Sequence, residues 1–163
     1  MNFFDQACQE PPFNDASRGI CDPQNGTRAY TDTANPQHWV ARIKNDNQVN
    51  LIFTAVDQCV ILNGQEPNRG RCDGMLHSNE HLYLIELKDQ ASSWRTHAIE
   101  QLESTIQFIL QYHATQVQTF RHKKAFACNR AHPAFQVLDT DISLRFFRTY
   151  GFRIDVQADV LIV

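Results

Sequence analysis

The sequence lacks several features that would assign a chain to a common functional class. No apolar run approaches the roughly 20 residues that a membrane-spanning helix needs, so we expect no membrane segment. The N-terminus has no basic stretch followed by an apolar one, so we expect no secretory signal and a cytoplasmic location. No glycine-rich phosphate-binding loop is present, which excludes nucleotide hydrolysis by that route.

The cysteines have no paired spacing. There are five of them, an odd number, and none forms a Cys-x-x-Cys pair. A structural zinc site is therefore not expected, and we predict reduced thiols, as in the cytoplasm. Cys59, Cys72 and Cys128 fall in strand-like apolar runs, so we predict that they are buried core thiols.

An excess of positive charge is also missing. Fifteen Lys and Arg residues face eighteen Asp and Glu residues, which gives a formal net charge of −3. Proteins that coat DNA non-specifically are usually strongly basic. Any contact with a nucleic acid must therefore be local or shared with a partner protein.

What the chain does contain predicts one mixed α/β domain over residues 1–163. Hydrophobic residues make up 42% of the chain, which is typical of a folded globular domain of this length. Residues 1–33 are rich in turn signals and are predicted to form an irregular arm that begins with a short helix at Phe3 and Phe4. Asn35 and Pro36 predict a helix that ends at about residue 45.

The remaining segments predict helices packed on a central mixed sheet. A long helix starts at Ser92 or Ser93, and a last helix is ended by Gly151. The predicted order is strands within 49–62, 70–76 and 81–87, the long helix to 113, a strand at 124–128, a helix to 150, and strands at 152–156 and 159–163.

Two carboxylates occupy strand positions where acidic residues are disfavoured. Asp73 lies inside a strand pattern, and Glu86 ends an otherwise apolar strand. Because side chains alternate across a strand, Lys88 projects to the same face as Glu86. We predict that Asp73, Glu86 and the carbonyl of Leu87 bind Mg²⁺ or Mn²⁺. Lys88 would then orient an attacking water or stabilise the charge that builds up on a phosphoryl group.

These residues resemble the motif of the PD-(D/E)XK, or restriction-endonuclease-like, nuclease superfamily. The resemblance covers residues 49–128 and rests on Asp73, a gap of twelve residues, Glu86-Leu87-Lys88 and a following long helix. It implies a mixed sheet flanked by helices in an αβββαβ order. It also implies metal-dependent hydrolysis of phosphodiester bonds, with Asp73 and Glu86 as metal ligands and Lys88 assisting the water. One branch of the superfamily places a Gln on the following helix, which Gln101 matches; the other reading of Gln101 is a residue of the helix surface.

The chain also departs from the superfamily pattern. Cys72 stands where a Pro is frequent, and the helix predicted from Pro36 carries no Glu to serve as an extra ligand. Asp57 is a candidate for that extra ligand, but a polar residue at a strand end is the simpler interpretation.

The sequence leaves two hypotheses open. The first is a metal-dependent nuclease that acts on DNA, alone or within a bacterial defence or mobile-element complex. The second is a catalytically inactive, nuclease-like binding module that works with a partner protein. By analogy with superfamily nucleases that cut both strands, a homodimer is expected for the first. Lys123, Lys124 and Arg130 flank a predicted central strand and are predicted to contact backbone phosphates.

Overall fold

The fold has three layers, in which two helices cover one face of a five-stranded sheet and a four-stranded sheet covers the other. The structure, a computed structural model, describes residues 1–163. The strands are β1 (Ser17–Cys21), β2 (Tyr30–Asp32), β3 (Ala41–Lys44), β4 (Ile52–Ala55), β5 (Gly74–His77), β6 (His81–Lys88), β7 (His122–Asn129), β8 (Arg153–Val156) and β9 (Asp159–Leu161), and the α-helices are α1 (Arg95–Gln118) and α2 (Thr140–Tyr150).

Both sheets are mixed. The larger sheet has the order β4-β5-β6-β7-β8, with antiparallel pairing from β4 to β6 and parallel pairing from β6 to β8. The smaller sheet has the order β2-β1-β3-β9, in which β9 pairs parallel with β3 and the other pairs are antiparallel. The last strand of the chain therefore completes a sheet that is otherwise built from the first 44 residues.

Strand β6 is the centre of the molecule, and all eight of its residues are buried. Leu82 and Leu84 pack against the helices, whereas Tyr83 and Ile85 pack against the smaller sheet. Glu86 and Lys88 continue the alternation of Leu82 and Leu84, so both side chains belong to the helix-covered face. This is the shared face that the sequence predicts.

The structure confirms the general α/β class and several elements. The β5–β6 hairpin turns at residues 78–80, and β7, β8 and β9 lie close to their predicted positions. Gly151 ends α2 in the left-handed region, at φ 77°, as its position in the sequence predicts. The long helix begins at Arg95 and extends to Gln118, with non-helical backbone angles at His113, the predicted end.

The helix predicted from Pro36 is wrong. Only a three-residue 3-10 turn forms at Pro36–His38, and the chain then enters β3. Within the segment the burial alternates as in a strand: Ala41 and Ile43 are buried, and Arg42 between them is exposed. Because β1 and β9 pair with this segment on both sides, the strand prevails over the helix.

The predictions of an irregular N-terminal arm and of a single sheet are also wrong. Residues 17–21 and 30–32 form β1 and β2 of the smaller sheet, where Ile20 and Cys21 are buried. Phe3 and Phe4 lie in a turn, and a 3-10 helix follows at Gln6–Cys8. Two predicted strands are shorter than expected, since β4 ends at Ala55 and β5 begins only at Gly74.

The prediction of five reduced thiols is wrong for two of them. Cys8 and Cys59 form a disulfide with 5.7 Å between their Cα atoms. The pair is 51 residues apart, so no local spacing reveals it. Cys72 and Cys128 are free and fully buried, as predicted, and burial raises the pKa of both thiols. Because disulfides persist mainly in oxidising compartments, this one removes the argument from reduced thiols for a cytoplasmic location.

Neither helix has the length and apolar character required to cross a membrane.

Candidate active site

The residues predicted to form the site lie together in one pocket of about 240 Å³. It opens where β6 ends, beneath the loop that joins β1 to β2. Asp73, Glu86, Leu87, Lys88 and Gln101 all line it. The pocket is completed by Asp22, Gln24, Gly26, Thr27 and Asp57.

Asp73 is held at the point where the chain enters β5. Its N–H donates to the carbonyl of Ile85 at 3.0 Å, and one of its carboxylate oxygens accepts from the N–H of Leu87 at 2.7 Å. The side chain thus satisfies a strand donor that a longer β5 would have paired. Just before it, the N–H of Cys72 donates to the hydroxyl of Thr105 on α1 at 2.7 Å, which attaches the segment preceding β5 to the helix.

Lys88 links the end of β6 to α1. Its Nζ lies 3.3 Å from Oε1 of Glu86 and donates to Oε1 of Gln101 at 2.7 Å. The amide nitrogen of Gln101 donates in turn to the carbonyl of Arg71 at 3.3 Å. Gln101 therefore holds the ammonium group in place, and its reading as a helix-surface residue is wrong.

Glu86 is the most unusual group of the site, because its side chain is only 2% exposed and one oxygen, Oε2, has no hydrogen-bond partner. Burial raises the pKa of Glu86 well above its usual range, the charge of Asp73 raises it further, and Lys88 opposes both effects. Burial also raises the pKa of Asp73 to about 7, against the lowering effect of the Leu87 N–H. Holding two negative charges here is unfavourable without a cation.

The donor set fits a small, hard divalent ion. Asp73 and Glu86 offer carboxylate oxygens, one of them without a partner, and a bound cation would offset their desolvation and mutual repulsion. No three His, Cys, Asp or Glu side chains are arranged as a metal-binding cluster. Two carboxylates and a carbonyl such as that of Leu87 would suffice for Mg²⁺, which retains several waters.

The structure does not bring the predicted phosphate-binding lysines to the pocket. Lys123 and Lys124 lie at the opposite end of β7, in register with Leu82 and Tyr83. Lys123 donates to the carbonyl of Phe120 at 3.2 Å, and the Nζ of Lys124 is 3.7 Å from a carboxylate oxygen of Asp155. The prediction that these two lysines lie near the site is therefore wrong.

Arg130, by contrast, lies at the same end of the sheet as the pocket. Its N–H donates to the carbonyl of Lys88 at 2.8 Å. Its guanidinium reaches the carbonyl of Gln37 in the 3-10 turn and remains exposed to solvent.

Sequence reasoning missed Asp22 altogether and set Asp57 aside. Asp57 lines the pocket and forms an ion pair with Arg71 at 2.5 Å. Asp22 comes from the predicted irregular arm, and no pattern in the sequence indicates that this loop folds back over β6.

A larger cavity of about 690 Å³ lies at the other end of the β5–β6 hairpin. Two histidines line it: Nδ1 of His77 is buried without a hydrogen-bond partner, whereas His81 bonds Ser78 through Nδ1 at 2.7 Å and the carbonyl of Val163 through Nε2 at 2.6 Å. Glu80 is its only acidic lining residue. The smaller pocket, with its grouped carboxylates and lysine, is therefore the better candidate for a catalytic site.

Comparison with protein-family models, curated proteins and solved structures finds no match for this chain. The functional argument therefore depends on the geometry of the pocket.

Proposed function

We propose that this chain is a metal-dependent nuclease that hydrolyses phosphodiester bonds in DNA, with Mg²⁺ or Mn²⁺ in the pocket. The observation that carries the proposal is the buried, unpartnered oxygen of Glu86, which lies beside a second carboxylate and a lysine in an open pocket. The succession of β4, β5, β6, α1 and β7 supports a restriction-endonuclease-like core. The missing first helix is a departure from that core.

The residues have distinct roles in this proposal. Asp73 and Glu86 would hold the metal ion, which when bound polarises a phosphoryl group and lowers the pKa of a water molecule. Lys88 supplies positive charge where the phosphate gains negative charge. Gln101 holds the Lys88 ammonium group through its 2.7 Å hydrogen bond, so the lysine does not have to be ordered when substrate arrives.

The test is cleavage by purified wild-type protein and two variants, Glu86→Gln and Lys88→Ala. Single- and double-stranded DNA and RNA are incubated with Mg²⁺, with Mn²⁺ or with a chelator. We expect metal-dependent cleavage of DNA that both substitutions abolish while circular dichroism remains unchanged. Glu80→Gln, an exposed residue outside the pocket, is the matched control. Undiminished cleavage by both variants would refute the assignment.

A second candidate is a catalytically inactive binding module that acts with a partner protein. It is favoured by the acidic character of the pocket, where four carboxylates surround one lysine, and by the net charge of −3. Such a surface attracts nucleic acid weakly unless a partner supplies positive charge. Calorimetry with Mn²⁺ separates the two candidates, with Asp73→Ala as the control. Metal binding that the substitution removes supports the nuclease, and no binding by the wild type supports the module.

A further inference from the structure

The loop between β1 and β2 contributes four residues to the pocket, Asp22, Gln24, Gly26 and Thr27. Both ends of the loop are anchored, because Cys21 before it and Ala29 after it are buried. Within the loop, one oxygen of Asp22 accepts from the N–H of Gln24 at 3.1 Å and the other from its side-chain amide at 2.8 Å. The smaller sheet thus presents an ordered carboxylate to a site that is otherwise built by the larger sheet and α1.

Two of the four acidic residues of the pocket, one of them Asp22, have no cationic partner. Asp57 pairs with Arg71, and Glu86 pairs with Lys88. Asp73 accepts from the backbone of β6. Asp22 bonds only to the uncharged Gln24 and forms no ion pair, although it is half-buried. Asp22 and Asp73 are therefore the two carboxylates of the pocket that no Lys or Arg side chain pairs with.

The carboxylate of Asp22 also interacts electrostatically with Asp73, one of the predicted metal ligands. Burial raises the pKa of Asp22, the charge of Asp57 raises it further and that of Lys88 lowers it. Asp22 in turn contributes to the raised pKa of Asp73. These couplings agree with a common pocket, as the lining residues indicate.

We propose that Asp22 is a positioning residue for the metal ion, which it holds through metal-bound water across the pocket. This inference rests on the proposed function. Since no three acidic side chains form a direct metal-binding cluster, Asp22 would act on the water shell that Mg²⁺ and Mn²⁺ retain. The unpartnered, buried Oε2 of Glu86 independently indicates a ligand in the same pocket.

The experiment is Mn²⁺ calorimetry on the full chain, without nucleic acid. The variants are Asp22→Asn, Glu86→Gln and Asp46→Asn, the last being an exposed acidic residue that does not line the pocket. Asparagine retains the acceptor for the Gln24 N–H, so the turn is kept, while the charge and the acceptor for the Gln24 side-chain amide are removed. We expect Asp22→Asn to weaken Mn²⁺ binding by about 10- to 100-fold, and Asp46→Asn to leave it within about twofold.

The experiment distinguishes failure of the inference about Asp22 from failure of the proposed function. If Asp22→Asn binds Mn²⁺ as tightly as the wild type while Glu86→Gln does not bind it, the inference about Asp22 is wrong and the metal site stands. An equal loss of affinity in Asp46→Asn would reduce the effect to general charge and also overturn the inference. If the wild type binds no Mn²⁺, both the inference and the proposed function fail.

Discussion

Replacing Asp73 by Asn should stabilise the metal-free protein at alkaline pH. The substitution removes a charge from the pocket but keeps the shape of the side chain. The Asn carbonyl oxygen can still accept from the Leu87 N–H, which bonds Asp73 at 2.7 Å. The gain in stability should therefore report the cost of ionising Asp73 beside Glu86 without a metal ion.

The magnitude and sign follow from the pKa of Asp73, which rises from 3.8 to about 7 on folding. The folded protein holds this proton more tightly than the unfolded chain, so stability is lost as pH rises from about 4 through about 7. A tenfold change in proton affinity corresponds to about 1.4 kcal/mol, so the full cost above that range is about 4 kcal/mol. Asn never ionises and avoids the cost. The difference between variant and wild type should vanish near pH 4 and be largest above about pH 7.

The assay is urea unfolding followed by tryptophan fluorescence, with chelator present and the disulfide oxidised. Trp94 is buried and should report the transition. Asp46→Asn is the control for loss of an exposed charge. Saturating Mn²⁺ should stabilise the wild type by about 2.7 kcal/mol at a hundredfold excess over Kd, but not the variant. The reasoning fails if Asp73→Asn is less stable than the wild type at alkaline pH, or if its advantage does not change with pH.

Two further predictions concern residues whose placement differs from the sequence-based expectation. Arg130→Ala should weaken DNA binding more than the double substitution of Lys123 and Lys124 does, because only Arg130 lies at the pocket end of β7. Binding is measured by fluorescence anisotropy in the Glu86→Gln background. A larger effect of the lysines would contradict this placement. Cys8→Ser should lower the free energy of unfolding by about 4 kcal/mol, because the loop that the Cys8–Cys59 disulfide closes is no longer constrained in the unfolded chain. A thermal midpoint equal to that of the wild type would show that the disulfide is not formed.

The part of the fold that the sequence predicts well is the part with strong local signals. The apolar stripe of α1, the short hairpin turn and Gly151 each specify their element through a few neighbouring residues. The convergence of Asp73, Glu86 and Lys88 was also predictable, because strand alternation and one hairpin determine it.

The smaller sheet was not predictable in the same way. Its strands are only three to five residues long, and β9 joins them from the other end of the chain. Ala41 and Ile43 have the two-residue spacing of a strand, but β3 is only four residues long and follows the helix-start signal of Asn35 and Pro36, so the pairing partners decide the outcome. Asp22 and the Cys8–Cys59 disulfide depend on this long-range packing, so sequence spacing did not reveal either.

The parallel pairing of β9 with β3 makes the order of synthesis matter. Until β9 has been synthesised, β3 has one unpaired edge, and the sheet that carries the Asp22 loop lacks a strand. The pocket would thus acquire its full wall only when translation of this domain is nearly finished.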